Sequence, residues 1–236
     1  MNATKIIAST SGVLTGVSGF NHGFFEAIQG NHATDGLLVN AVGKGYSWTV
    51  WRNGGEGAFA LIPNFLVTGT LTMIVSILLA VWSAGFIHTR RGDTVFLLIG
   101  LLLFLFGGGV AQVPFIILTW SVATRIDKPL FTWKKLLSEN TRIKIAKAWA
   151  KLLIVSYSMI LLALELAIFG FLPGITDPNT LQLICWSSLV CGTAILLASI
   201  VAGFASDIQT QAKQHQKVPL FNLVKSKLRE EIEVQL

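Results

Sequence analysis

Four stretches that leave almost no room for charge constrain this chain more than any motif in it. Phe59–Ile87, Val95–Thr124 and Leu181–Ala205 contain no Asp, Glu, Lys or Arg, and Leu152–Pro173 contains only Glu165. Each is at least as long as the roughly 20 residues that cross a bilayer core. Inside lipid every backbone N–H and C=O must find its partner within the segment, so such stretches fold as helices. The composition agrees: 53% of the 236 residues are hydrophobic and 13% are charged, against about a quarter charged in a soluble domain. The fold class is therefore an all-α integral membrane protein.

A fifth span is expected over residues 5–28, where the pattern is less greasy but strictly helical. Gly12, Gly16, Gly19 and Gly23 recur at i, i+4, i+7 and i+11 and share one face. Ser11, Thr15, Ser18, His22 and Glu26 run beside them, while Val13, Val17, Phe20, Phe24 and Ile28 cover the other side. Small residues let helices approach closely in a membrane, so the glycine face is a packing face and the apolar side belongs to lipid.

The expected architecture is a polytopic bundle of about five transmembrane helices over 5–28, 59–87, 95–124, 152–173 and 181–205, forming one domain over residues 1–205. A tail of residues 206–236, helical after Pro219, follows. Residues 29–58 form an interfacial loop in which Tyr46, Trp48 and Trp51 suit the headgroup level. Residues 125–151 mix lysines with Leu136, Leu137, Ile143, Ile145 and Trp149 and read as an amphipathic helix on the membrane surface.

Net charge is +6, but the basic residues flank spans instead of forming one face: eight lie between Arg125 and Lys151 and five from Lys213 onward. That clustering indicates positive-inside topology and contact with anionic lipid, and speaks against nucleic acid. Residues 125–151 and the C-terminus are thus expected in the cytoplasm of a multi-pass cell-membrane protein. One conflict follows, because alternation across five spans would place Arg90 and Arg91 outside. If Val95–Thr124 turned back at "FGGGVAQVP" both its ends would share a side, but its length favours one tilted or kinked span.

Candidate chemistry rests on polar groups within the spans, which are costly there and mark functional sites by default. Glu165 sits near the middle of its span and must be protonated or paired. His22 and Glu26, four residues apart, share a helix face. Asn64 heads a strip continued by Thr68, Thr72 and Ser76, and Gln112 lies between a glycine triplet and Pro114, where a helix bends. His22 and Glu26 are weak metal candidates, since a site needs a third ligand and no HExxH or paired ExxH spacing is present. Cys185 and Cys191, six residues apart, lie roughly 9 Å apart along a helix axis and pointing different ways, so they do not pair. No nucleophile elbow, nucleotide-binding or haem-ligand pattern occurs, and no cofactor is indicated.

These features point to a protein that moves or gates a small solute or ion with Glu165 as the central carboxylate and His22 and Glu26 near one mouth. Two alternatives stand beside it. One is a non-catalytic membrane subunit, packing as a homo-oligomer or on a larger partner. The other is a metal-dependent membrane enzyme.

Overall fold

A computed structural model describes residues 2–40 and 57–235, with side chains as far as Lys213. Tyr46, Trp48 and Trp51 lie outside the described residues. The protein is all-α and 72% helical. In chain order the elements are α1 (Ala3–Ala27), a short antiparallel pair β1 (Leu38–Asn40) and β2 (Gly57–Phe59), α2 (Phe65–Gly85), α3 (Gly92–Leu105), α4 (Gln112–Ala123), α5 (Phe131–Leu136), α6 (Glu139–Ile145), α7 (Trp149–Phe169) and α8 (Pro178–Gln235). Three helices are long and apolar enough to cross a membrane: α2, α7 and the Pro178–Lys213 part of α8. The 25 residues of α1 would also reach across, but its glycine, serine and threonine content makes it less apolar than these.

The expected single span over 95–124 is two helices. The chain leaves α3 at Phe106 and passes Gly107 (φ +110°) and Gly109 (φ +84°) before α4 begins. Positive φ is cheap only for glycine, so the triplet permits the break. The two helices then lie against one another: a Cβ placed on Gly100 would sit 2.6 Å from Ile116 Cγ2. Sixteen residues of continuous helix would hold these positions about 24 Å apart, so α3 and α4 form an antiparallel hairpin. At 14 and 12 residues they extend about 21 and 18 Å, short of a bilayer core of about 30 Å.

The hairpin removes the conflict over Arg90 and Arg91. Gly12 of α1 meets Ser83 at the end of α2 and Phe96 at the start of α3, while Gly23 meets Gly69 at the start of α2. The end of α4 returns to the start of α1, where Asn2 Nδ2 donates to Asp127 Oδ1 at 2.7 Å. Lys5, Arg90, Arg91 and the basic residues from Arg125 to Lys151 therefore collect at one end of the bundle. Among the described residues the opposite end, formed by 28–40, 57–64, 106–111 and 170–177, holds no Lys or Arg.

Two other expectations change. Residues 125–151 are not one amphipathic helix, because Ser138 leaves helical geometry and its side chain caps α6 by accepting from Thr141 N–H. Serine competes for backbone hydrogen bonds inside a helix and satisfies them at an N-cap. The tail does not start afresh after Pro219 either, since α8 runs unbroken to Gln235.

On α2 the buried face is mostly small and polar and the outer face large and apolar. Ile74, Ile77, Leu78 and Val81 of α2 are exposed, while Thr68, Thr72, Ser76 and Ser83 of the same helix are fully buried. The main core gathers Ile7, Leu79, Phe96, Leu103, Leu196 and Phe204. A second cluster, with Leu166, Ile168, Leu181 and Cys185, joins α7 to α8 near Phe25. Cys185 is buried and Cys191 exposed, and neither is bridged.

Candidate functional site: a glycine cradle over Glu26

The site begins with the spacing of the glycines on α1. A Cβ on Gly16 would approach the Ser76 carbonyl oxygen to 2.8 Å, and one on Gly23 would approach the Gly69 carbonyl oxygen to 2.6 Å. A Cβ on Gly19 would meet Ser76 Oγ at 2.6 Å and Leu103 Cδ2 at 2.9 Å. Gly12, Gly16, Gly19 and Gly23 thus let the α1 backbone lie directly on α2 and α3, which turns the adjacent polar strip inward. Ser11, Thr15, His22 and Glu26 are all buried. The lower part of the strip is satisfied locally: Ser11 Oγ and Tyr157 Oη are 2.5 Å apart, and Thr15 Oγ1 donates to the Ser11 carbonyl at 2.9 Å.

The upper part faces the α3–α4 break. Thr68 Oγ1 donates to the Phe106 carbonyl at 2.5 Å, and Thr72 Oγ1 donates to the same oxygen. Two threonines on one face of α2 therefore satisfy a carbonyl that the end of α3 leaves open. Phe106 also pairs with Ala60, Leu61 N–H donates to Leu105 O at 2.9 Å, and Val110 N–H donates to Gly57 O at 3.0 Å. The β2 strand and its following turn hold the break in place from above.

Gly107 and Gly109 then lie against the two ionisable groups of α1. A Cβ on Gly107 would fall onto the Glu26 carboxyl group, and one on Gly109 would sit 2.7 Å from His22 Cε1. Both glycines are thus required twice, by their left-handed φ and by the side chains they accommodate. Glu26 is 0% exposed, and neither of its carboxyl oxygens has a hydrogen-bond partner among the described residues. Burying an ionised carboxylate in this way is very costly, so the position suits a group that takes up a proton or a small cation.

The other sequence candidates separate. Gln112, the first residue of α4, is buried near the pair: its Nε2 donates to Ser18 Oγ, one turn before His22, at 3.2 Å, and its Oε1 has no partner among the described residues. Asn64 instead caps α2, accepting from Val67 N–H at 3.1 Å and donating to Asn31 Oδ1 at 2.7 Å. Glu165 does not join the interior at all. It is exposed on α7, between the exposed Leu161, Leu162 and Phe169. Of the two acids expected at a site, Glu26 is thus the one enclosed by the bundle and Glu165 the one on its outer face.

Two polar groups with structural roles escaped the sequence reading. Asp207, near the C-terminal end of the apolar part of α8, is buried and accepts from Ala3 N–H (2.8 Å), Thr4 N–H (2.9 Å) and Thr4 Oγ1 (2.6 Å). It binds the first turn of α1 at the positive end of the helix dipole. Tyr157 is the partner of Ser11 described above. An acid directly following an apolar run was the only signal for Asp207.

Among the described residues no three His, Cys, Asp or Glu side chains converge to hold a metal ion, so His22 and Glu26 supply two donors and no third. The chain matches no protein-family model, no curated protein and no solved structure.

Proposed function

We propose that this chain is a polytopic membrane protein that moves a proton, or a small solute coupled to one, past the His22–Glu26 pair. In this reading α1, α2, α7 and α8 are spans, the α3–α4 hairpin is re-entrant, and the basic end faces the cytoplasm, as the positive-inside rule requires. The observation that carries it is the Glu26 carboxyl group, wholly buried and without a hydrogen-bond partner among the described residues, beneath the only glycine-rich break in the bundle's described helices. Irregular backbone at membrane depth is tolerated where protein or a wet cavity satisfies it, and transporters use such breaks at their sites. His22, one turn earlier, provides a second proton-binding group on the same face.

Purified protein in liposomes loaded with a pH-sensitive dye tests this. Under an imposed potential the wild type acidifies or alkalinises the lumen faster than protein-free vesicles, and Glu26→Gln lowers that rate at least about tenfold. Equal rates for Glu26→Gln and wild type, or a wild type no faster than empty vesicles, would refute it.

One observation favours a second reading, a membrane subunit that packs on another protein. Exposed Glu165 within the apolar α7 is costly against lipid, and a partner helix offering it a hydrogen bond would remove that cost. Co-purification of a complex that Glu165→Leu disrupts supports it, whereas an isolated monodisperse chain unaffected by the substitution does not.

A further inference from the structure

At the basic end a cleft of about 750 Å³ lies between α5–α6 and the part of α8 that follows Asp207. Its walls carry Lys134, Arg142 and Lys213, together with two acids, Asp127 and Glu139. One acid is already engaged, since Asp127 accepts from Asn2. Arg142 Nε is shut off from solvent and has no hydrogen-bond partner among the described residues. No acceptor among the described residues is therefore committed to this guanidinium N–H, which leaves the group available to a bound anion.

The rest of the cleft is apolar. Leu130 and Ile208 are buried beneath it, while Phe131 (70% exposed) and Ile143 (46% exposed) stand at its edge. Cations beside exposed apolar side chains, at the end of a bundle whose flanks are apolar, match an amphiphile with a phosphate at one end. Guanidinium and ammonium groups bind phosphate oxygens by charge-assisted hydrogen bonds, the guanidinium in a fork geometry. Glu139 beside them can accept from a hydroxyl-bearing headgroup and would repel a second free anion.

We propose that this cleft is a binding site for the phosphate group of an anionic phospholipid, with Lys134, Arg142 and Lys213 on the headgroup and Phe131 and Ile143 against the first part of the acyl chains. The inference is independent of the proton site, which lies at the other end of α1.

Native mass spectrometry of the full chain, delipidated in detergent, tests it with three probes: dioleoyl phosphatidylglycerol, dioleoyl phosphatidylcholine and inorganic phosphate. Phosphatidylglycerol is retained about tenfold better than phosphatidylcholine, and inorganic phosphate alone is not retained at matched concentration. Arg142→Gln and Lys134→Gln each lower phosphatidylglycerol retention about fivefold, the factor that about 1 kcal/mol per basic residue at an anionic surface implies. Lys135→Gln, which removes the same charge on α5 outside the cleft, leaves retention unchanged. Equal retention of the two lipids, or a Lys135→Gln effect as large as that of Arg142→Gln, would overturn the site. Retention of inorganic phosphate with no preference between lipids would overturn the lipid as its source.

Discussion

Glu26 and Glu165 are both acids on long helices, and the bundle treats them in opposite ways. Glu26 is fully enclosed, with a glycine backbone against its carboxyl group, whereas Glu165 is exposed between leucines and a phenylalanine. The helices that carry them differ in the same sense. One side of α1 is made of glycine and small polar residues, and packing on that side forces Glu26 inward. By contrast α7 is apolar around most of its circumference, and nothing in its own sequence decides which way Glu165 turns. Depth along a span marks a carboxylate as costly, but the face it occupies determines whether it can work as a site.

Filling the glycine face has the largest expected effect. Gly16→Leu places a branched side chain where a Cβ alone would meet the Ser76 carbonyl oxygen at 2.8 Å and Ala80 Cβ at 2.9 Å. Because the obstacle is backbone, the helices must separate, and the expected outcome is loss of monodisperse protein on size-exclusion chromatography. Removing the carboxylate that fastens α1 to α8 is next: Asp207→Ala deletes three hydrogen bonds to a buried charged group and costs about 3 kcal/mol, read as a lower unfolding midpoint in detergent titration.

Gly109→Ala perturbs the surroundings of Glu26 without touching either acid. It puts a methyl group against the His22 ring at a left-handed backbone position, so activity should fall several-fold while the protein still purifies. On the other side, Glu165→Leu leaves the isolated chain folded and makes it slightly more stable in the apolar surroundings of a micelle, measured by the same detergent titration. The smallest effect belongs to Asp177, before α8. Its carboxyl accepts from Thr180 Oγ1 (2.6 Å) and Thr180 N–H (2.9 Å), and these hydrogen bonds hold its pKa below the ordinary aspartate value. The sign is that of a depressed acid: the stabilisation is present above the unfolded pKa and is lost as pH falls through the lower folded one. Amide exchange of the first turn of α8 should therefore accelerate only on strong acidification, and Asp177→Ala should remove that dependence.

How much of this was legible beforehand depends on whether the information was local. The faces of α1 could be read directly, because glycine and polar residues repeat with the helical period and each face admits one use. The membrane class and the apolar stretches of α2, α7 and α8 followed from charge-free length. The glycine triplet signalled a break, but not that α3 and α4 fold back on one another, since that depends on Gly100 accepting Ile116 across the turn. Arg90 and Arg91 held the missing evidence: their conflict with alternating spans disappears once the hairpin exists. Asp207 was invisible for a simpler reason, because its partners at the start of α1 lie more than 200 residues away. The regular spacing of Asn64 with Thr68 and Thr72 extends one turn past the buried threonines, where the asparagine caps α2.

The most direct test places the two acids side by side. Glu26→Gln and Glu165→Gln are reconstituted at equal density, and proton flux is followed under one imposed potential. Flux reduced at least about tenfold by Glu26→Gln and held within about twofold of wild type by Glu165→Gln is the predicted result. Flux abolished by Glu165→Gln and untouched by Glu26→Gln would contradict it.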